Sequence, residues 1–276
     1  MSDLASIDYT VDELMAVCVA RQVQDGDMLV HGLATPLVAA GYMLAFRTHA
    51  PNVTFASAVG QGVVQDWAPL SITRTEEYWL GKAMANASFV VTVADVLHSF
   101  APKEFFRPAQ LDPYGNSNNI AIGKDYARPR LRLPGAGGIP DVSVFSEKMY
   151  MYVPRHSRAV FVPQLDWLSG MGHHPARKRG SGPRYLVSDL GQFDWANGSM
   201  RVVSCHADVP LRRIQAKTGF ELEIAPDLGE TPLPSAEEIR LLREEIDPLG
   251  VRRLETLAGT ARRTLLREIL ARERSL

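Results

Sequence analysis

The chain has 276 residues, 46% hydrophobic and 22% charged, which is enough apolar material for a large folded core and excludes a disordered chain. Its 30 basic and 31 acidic residues leave a net charge of −1, so no general field draws in nucleic acid, and any anionic ligand must be held locally. Cys18 and Cys205 stand in no CxxC or metal-ligand spacing and read as small buried hydrophobes.

The first residues, MSDLASIDYTVDEL, lack a basic stretch followed by an apolar one. No run of about 18 apolar residues occurs anywhere. The expectation is a cytoplasmic protein without a membrane partner.

Thr10-Val11-Asp12-Glu13 has the form of a capping box, with Leu14, Val17, Cys18 and Arg21 following at helical spacing. Asp25-Gly26-Asp27 makes a turn, residues 28–32 (MLVHG) read as a short buried strand, and Thr35-Pro36 opens a second helix. Ala50-Pro51-Asn52 breaks that helix. Residues 53–57 (VTFAS) then read as a strand running into Ala58-Val59-Gly60-Gln61-Gly62, and in open α/β sheets such carboxyl strand ends are where ligands bind.

A helix is expected over 75–84. Residues 88–93 (SFVVTV), 159–162 (AVFV) and 184–188 (RYLVS) are apolar, β-branched runs of strand length, the signature of buried, largely parallel strands. Ser235 caps a helix over 235–246 that Asp247-Pro248 ends, and beyond Gly250 an Arg- and Glu-rich amphipathic helix runs towards Leu276. The expected organisation is a domain over 1–250 and a helical extension over 251–276, in the α/β class with an open, mostly parallel sheet flanked by helices.

The most distinctive stretch is Ala109-Gln110-Leu111-Asp112-Pro113-Tyr114-Gly115-Asn116-Ser117-Asn118-Asn119, followed by Leu133-Pro134-Gly135-Ala136-Gly137-Gly138. Asp-Pro-Tyr-Gly-Asn is a turn because Pro presets φ and Gly and Asn tolerate positive φ. The glycine run lets a backbone approach a ligand closely and offers amides to an anionic oxygen. His31 and the three asparagines are candidates for polar contacts with substrate.

The ordered set AQLDPYGNSN, GAGG, LVSDLGQFDW and LLREEIDP, spread from about Thr10 to about Gly250, resembles the β subunits of family I CoA-transferases, especially those of the glutaconate CoA-transferase type. The resemblance implies a NagB/RpiA-like α/β fold, an α subunit as partner in a heterodimer or heterotetramer, and an active site at the subunit interface. It also implies a coenzyme A thioester as substrate, with no tightly bound cofactor, and an acyl-glutamyl intermediate. On that resemblance the pocket is expected at Ser57, Ala58 and Gly60, at Asn116 and Asn118, and at Gly135, Gly137 and Gly138.

One departure matters. The family's nucleophilic glutamate follows the second strand, where this chain carries Ala58, and no carboxylate lies between Asn52 and Gln65. Alanine forms no acyl anhydride or glutamyl thioester. The nearest carboxylates, Asp66, Glu76 and Glu77, fall in or near the expected 75–84 helix.

A related branch resembles this chain in lacking that glutamate and contains hydrolases that open rings of steroid-derived CoA thioesters. Three expectations stay open: CoA transfer, ring-opening C–C hydrolysis with a base on the α subunit, and a non-catalytic scaffold. No catalytic residue is assigned on this chain.

His173-His174 and Arg177-Lys178-Arg179 form a local cationic cluster within reach of phosphates, although flanking Gly, Ser and Pro read as a surface loop. Adjacent histidines point apart, which argues against a metal site. Ser57 and Ser71 lack a GxSxG elbow, and no GxGxxG is present.

Overall fold

The computed structural model describes residues 7–32, 35–57, 62–74, 81–91, 95 and 99–275. In chain order the elements are α1 (Val11–Ala20), β1 (Met28–His31), α2 (Pro36–Thr48), β2 (Thr54–Ser57), β3 (Gly62–Val64), β4 (Ala85–Asn86), α3 (Phe89–Val91) and β5 (Lys103–Phe106). There follow β6 (Gln110–Leu111), β7 (Ser117–Asn118), β8 (Ala121–Ile122), β9 (Leu131–Arg132), α4 (Ile139–Phe145), β10 (Lys148–Val153), β11 (Pro183–Ser188), β12 (Gly191–Ala196) and β13 (Ser199–Cys205). The chain closes with α5 (Leu211–Lys217), β14 (Glu223–Glu230), α6 (Ala236–Arg240, continuing as a π-helical turn over Leu241–Ile246), α7 (Arg253–Thr256) and α8 (Gly259–Glu273). Two compact units result: Met1–Ser88 with Pro232–Leu276, and Phe89–Thr231.

In the first unit β1 and β2 pair in parallel, and β2–β3 and β3–β4 pair antiparallel. Nearly every residue of α1 is buried, and α1 meets α2 at Gly41, where a Cβ would come within 2.6 Å of the Val19 side chain. Only glycine permits that approach. The N-terminal cap forms as expected, the Glu13 carboxylate accepting the Thr10 N–H at 2.8 Å.

That carboxylate also belongs to a buried ionic cluster. Arg252, 3% exposed, donates to Glu13 Oε1 at 2.8 Å and to Asp247 Oδ2 at 2.9 Å, with Asp12 Oδ2 at 2.9 Å. Arg243 binds Glu13 from the outer side at 2.7 Å. The C-terminal segment is thereby locked to α1. It grips a second place: Glu273 at the end of α8 accepts from the Ser71 hydroxyl (2.7 Å), the Ile72 N–H (2.6 Å), and the Thr73 N–H and hydroxyl.

In the second unit the strand order is β14-β13-β12-β11-β10-β5. The pairs β5–β10, β10–β11 and β13–β14 are parallel, while β11–β12–β13 form an antiparallel meander. Its core holds His156 stacked on Phe161 at 3.7 Å, with Phe193 and Phe220 against Phe161. The α/β class and the helix-flanked parallel strands match expectation, with antiparallel pairs added. Among the described residues no helix is long and apolar enough to cross a membrane.

Two expected strands are corrected. Of residues 88–93, Phe89–Val91 is a helical turn whose Val90 and Val91 are exposed, because no described neighbouring strand pairs them; 92–94 lie outside the described residues. Over 159–162 only Phe161 bridges Leu111, and residues 158–160 form a turn. Among the described residues, the β-branched pattern in both places reflects local propensity that found no ladder to join. The expected 75–84 helix lies outside the described residues as far as Leu80. The single helix expected past Gly250 is two, α7 and α8, divided at Leu257-Ala258 where the backbone is extended.

Candidate functional site

His31 and Ser57 end the parallel strands β1 and β2 as register partners, and both are buried. The His31 Nδ1 lies 3.3 Å from the Gly32 carbonyl, but burial outweighs that contact and pulls the imidazole pKa down to about 4. The ring is therefore neutral near pH 7. Ser57 also faces Gly62 across β2–β3. Ala58 and Gly60 lie outside the described residues.

The asparagine turn forms in the second unit. Asp112 Oδ1 accepts the N–H groups of Tyr114 (3.0 Å) and Asn116 (2.9 Å), and its Oδ2 accepts from Asn116 Nδ2 at 2.8 Å. Burial pushes the Asp112 carboxyl up, against these hydrogen bonds. Gly115 sits at φ +76°, where a Cβ would strike Pro183 at 2.4 Å.

Asn116 Oδ1 accepts the Gly172 N–H at 2.9 Å, and a Cβ on Gly172 would lie 2.2 Å from the Tyr114 carbonyl. Asn118, fully buried, donates to Gln110 Oε1 (2.7 Å) and the Ala121 carbonyl (2.8 Å) and accepts the Ile120 N–H (2.9 Å). Asn119 accepts the Ala109 N–H at 2.8 Å. The asparagine amides are thus spent on holding loops together.

Gly135 and Gly137 are different. Both are exposed, both have positive φ (+106° and +55°), and nothing lies within 4 Å of where a Cβ would be. The Gly135 N–H bonds the Asn119 carbonyl at 2.9 Å, which hangs the glycine loop from the asparagine turn. Gly138 precedes α4 and accepts the Val142 N–H. The structure therefore brings the asparagine turn and the glycine loop together, the first as scaffold and the second as open backbone.

The cationic cluster is divided. Arg177 donates to the carbonyls of Gly172 (2.8 Å), Ser143 (2.7 Å), Val144 (3.3 Å), Arg179 (2.8 Å) and Met171, a guanidinium consumed by the end of α4 and the 170–172 loop. His173 Nε2 lies 3.0 Å from the Pro183 carbonyl, and His174 Nδ1 accepts the Ala176 N–H, so the two rings serve separate turns. A hollow of about 520 Å³ is lined by Phe145, Glu147, Arg179 and Gly180, none of which is among the described residues expected in the pocket.

Sequence reading missed two groups. Glu104, partly buried on β5 opposite Met149, has its carboxyl raised to about 8 by burial. An acid beside two phenylalanines in the strand KEFF was the available signal. The second is His156, whose Nδ1 lies 3.0 Å from Ser188 Oγ and whose Nε2 lies 2.9 Å from Thr218 Oγ1. Both His156 and Ser188 are sealed from solvent, and burial holds the imidazole neutral with a pKa of about 3, so this contact is a core hydrogen bond.

No protein-family model matches the chain. It is 30% identical over 250 residues to the B subunit of 3-oxoadipate CoA-transferase from Pseudomonas knackmussii, covering 85% of this chain and 92% of that one. It is 29% identical to the B subunit of glutaconate CoA-transferase from Acidaminococcus fermentans (87% and 94% covered) and 28% identical to the cholesterol ring-cleaving hydrolase IpdB subunit of Mycobacterium tuberculosis (87% and 96%).

Among solved structures, the decarboxylase AibA/AibB superposes with a TM-score of 0.79 at 27% identity, covering 91% of this chain and all of that one. Rhodococcus jostii IpdAB does so with 0.76 at 25%, again covering 91% and 100%. An α/β fold with this loop system, matched along nearly its whole length, defines a class that includes transferases, hydrolases and a decarboxylase. The chain belongs to the family of CoA-transferase β subunits.

Proposed function

We propose that this chain pairs with an α subunit and acts on an acyl-CoA thioester, binding and orienting it while the reactive carboxylate comes from the α subunit. One observation carries the reading: residues 53–65 contain no Asp or Glu, and the position after the second strand holds Ala58. An acyl-glutamyl intermediate needs a carboxylate oxygen to attack the thioester carbonyl and expel CoA thiolate, and alanine has none. The exposed backbone at Gly135 and Gly137, with open space where side chains would stand, supports a role in receiving the thioester end, since a backbone without Cβ atoms lets a ligand approach closely.

Transfer of CoA between two acids is the first form of this activity. Hydrolytic opening of a C–C bond in a cyclic β-keto acyl-CoA is the second, and the missing β-subunit glutamate favours it, because a general base acting on water needs no covalent acceptor here. The test is mass spectrometry of the co-purified α/β complex incubated with a panel of acyl-CoAs in ¹⁸O-water. A glutamyl-CoA adduct on either subunit establishes transfer. Solvent oxygen in a cleaved product without an adduct establishes hydrolysis, and failure to bind any acyl-CoA sinks both in favour of a scaffold.

A further inference from the structure

The hairpin formed by β8 and β9 carries charge that nothing else in the second unit answers. Within residues 124–132 (KDYARPRLR) stand Lys124, Arg128, Arg130 and Arg132 against a single acid, in a chain whose net charge is −1. That acid is already engaged, Asp125 Oδ1 accepting the N–H groups of Ala127 (2.9 Å) and Arg128 (3.3 Å). All four cations are exposed, and among the described residues none of them is in an ion pair.

This array is built. Trp167 Nε1 donates to the Gly123 carbonyl at 2.7 Å, and the Gly123 N–H donates to Asp166 Oδ2 at 2.9 Å. Gly123 sits at φ +104°, a conformation that glycine takes without strain. Arg132 crosses back over the hairpin, donating to the Tyr126 carbonyl at 2.6 Å with its guanidinium 4.3 Å from the Tyr126 ring centre, and Tyr126 meets Trp167 edge-on at 5.5 Å. Tyr126 nevertheless remains 57% exposed. Holding like charges in one fixed loop is unfavourable in isolation, and a pre-ordered array lowers the ordering cost of binding an anion.

The hairpin also leads into the glycine loop. The Leu133 N–H bonds the Ile120 carbonyl at 3.1 Å, and two residues later the Gly135 N–H bonds the Asn119 carbonyl. An anion on Lys124, Arg128 and Arg130 and a thioester at loop 135–138 are thus served by one continuous strand exit. Coenzyme A has that layout, with its phosphates at one end, its sulfur at the other and the pantetheine arm between.

We infer that the 123–132 hairpin binds the phosphorylated nucleotide end of the CoA thioester, Lys124, Arg128 and Arg130 meeting its phosphates and exposed Tyr126 offering a ring to its base. This rests on the acyl-CoA reading above. Guanidinium and ammonium groups suit phosphate oxygens, and planar bases stack on exposed aromatic rings.

The experiment is calorimetric titration of the α/β complex with coenzyme A, 3′-dephospho-CoA and pantetheine, for the wild type and for a K124Q/R128Q/R130Q variant. The wild type is expected to bind the three in that order of decreasing affinity, with salt weakening CoA most. The variant is expected to lose roughly 10- to 100-fold in CoA affinity while its pantetheine affinity moves less than about twofold. A second variant, R128K/R130K, which keeps charge and loses bidentate geometry, is expected to fall between.

CoA affinity within twofold of wild type in the triple variant overturns the assignment while leaving the acyl-CoA reading intact. Loss of the α subunit from the triple variant on co-purification also overturns it, making the hairpin a protein interface. A wild-type complex that binds neither CoA nor pantetheine defeats the acyl-CoA reading itself and this assignment with it.

Discussion

Glu104 is a carboxyl whose ionisation is at odds with its surroundings. Burial raises its carboxyl to about 8, whereas in an unfolded chain it titrates near 4.5. Between those values the folded state holds a proton that the unfolded state has released, so stability falls as pH rises through about 4.5 to 8 and levels above it. Glu104→Gln removes the fall. The variant is expected to match wild type near pH 4.5 and to exceed it by about 1–2 kcal/mol at pH 8, a value below the full linkage because the carboxyl keeps partial contact with water. Urea titrations of the isolated chain at the two pH values check this, and parallel curves would mean that the carboxyl is ionised in the folded protein. His31, His156 and His206, all pulled down by burial to about 4, 3 and 4, are neutral across the same range and leave the window to Glu104.

Among the elements, the loop system of the second unit depends on one guanidinium. Arg177 satisfies carbonyls at the end of α4 and in the 170–172 loop, which in turn holds Asn116 through the Gly172 N–H. A lysine carries the charge but presents a single nitrogen and cannot reach carbonyls on several sides. Arg177→Lys is expected to cost about 1–3 kcal/mol and to raise amide hydrogen exchange across residues 170–173 and 143–146. Unchanged exchange there would show that the loops hold themselves.

The expected binding elements were legible to different degrees. The turn chemistry of Asp112-Pro113-Tyr114-Gly115-Asn116 was plain in the sequence, because each residue type has a local reason to be there. That the Asn116 and Asn118 amides would face inward was not, since their partners Gly172, Gln110 and Ala121 are fixed only by the loop's path. The cationic hairpin is less conspicuous in sequence than Arg177-Lys178-Arg179, whose first member is spent on carbonyls.

For the whole chain, the first unit is closed by residues as far apart as Glu13 and Arg252, 239 positions along the sequence. Arg252 bridges Glu13, Asp12 and Asp247 in a buried cluster, where burial already lifts the Asp247 carboxyl to about 6 despite the Arg252 guanidinium. Arg252→Met leaves Asp12 and Asp247 buried without their cation and Glu13 with Arg243 alone, and the expected loss is about 3–5 kcal/mol at pH 8. Asp247, with its folded pKa raised, costs stability as pH rises through about 3.8 to 6, and more so without the arginine. The deficit is therefore expected to shrink when denaturation is repeated at pH 5. A deficit that is constant with pH would assign it to lost packing.

Composition, the strand-turn-helix punctuation and the ordered motifs from the first helix to Gly250 determined the α/β class and the family, because helix caps, turn residues and buried strands obey rules that act within a few residues. Tertiary structure alone decided which apolar runs joined a ladder, as the described residues 88–91 and 159–162 did not. It also decided which polar side chains stayed accessible, sealing His156 and Ser188, spending Arg177 and the asparagines, and leaving the 123–132 cations and the glycine backbone open. Pairing, burial and hydrogen-bond satisfaction depend on neighbours distant in sequence, and a residue's own type does not contain them.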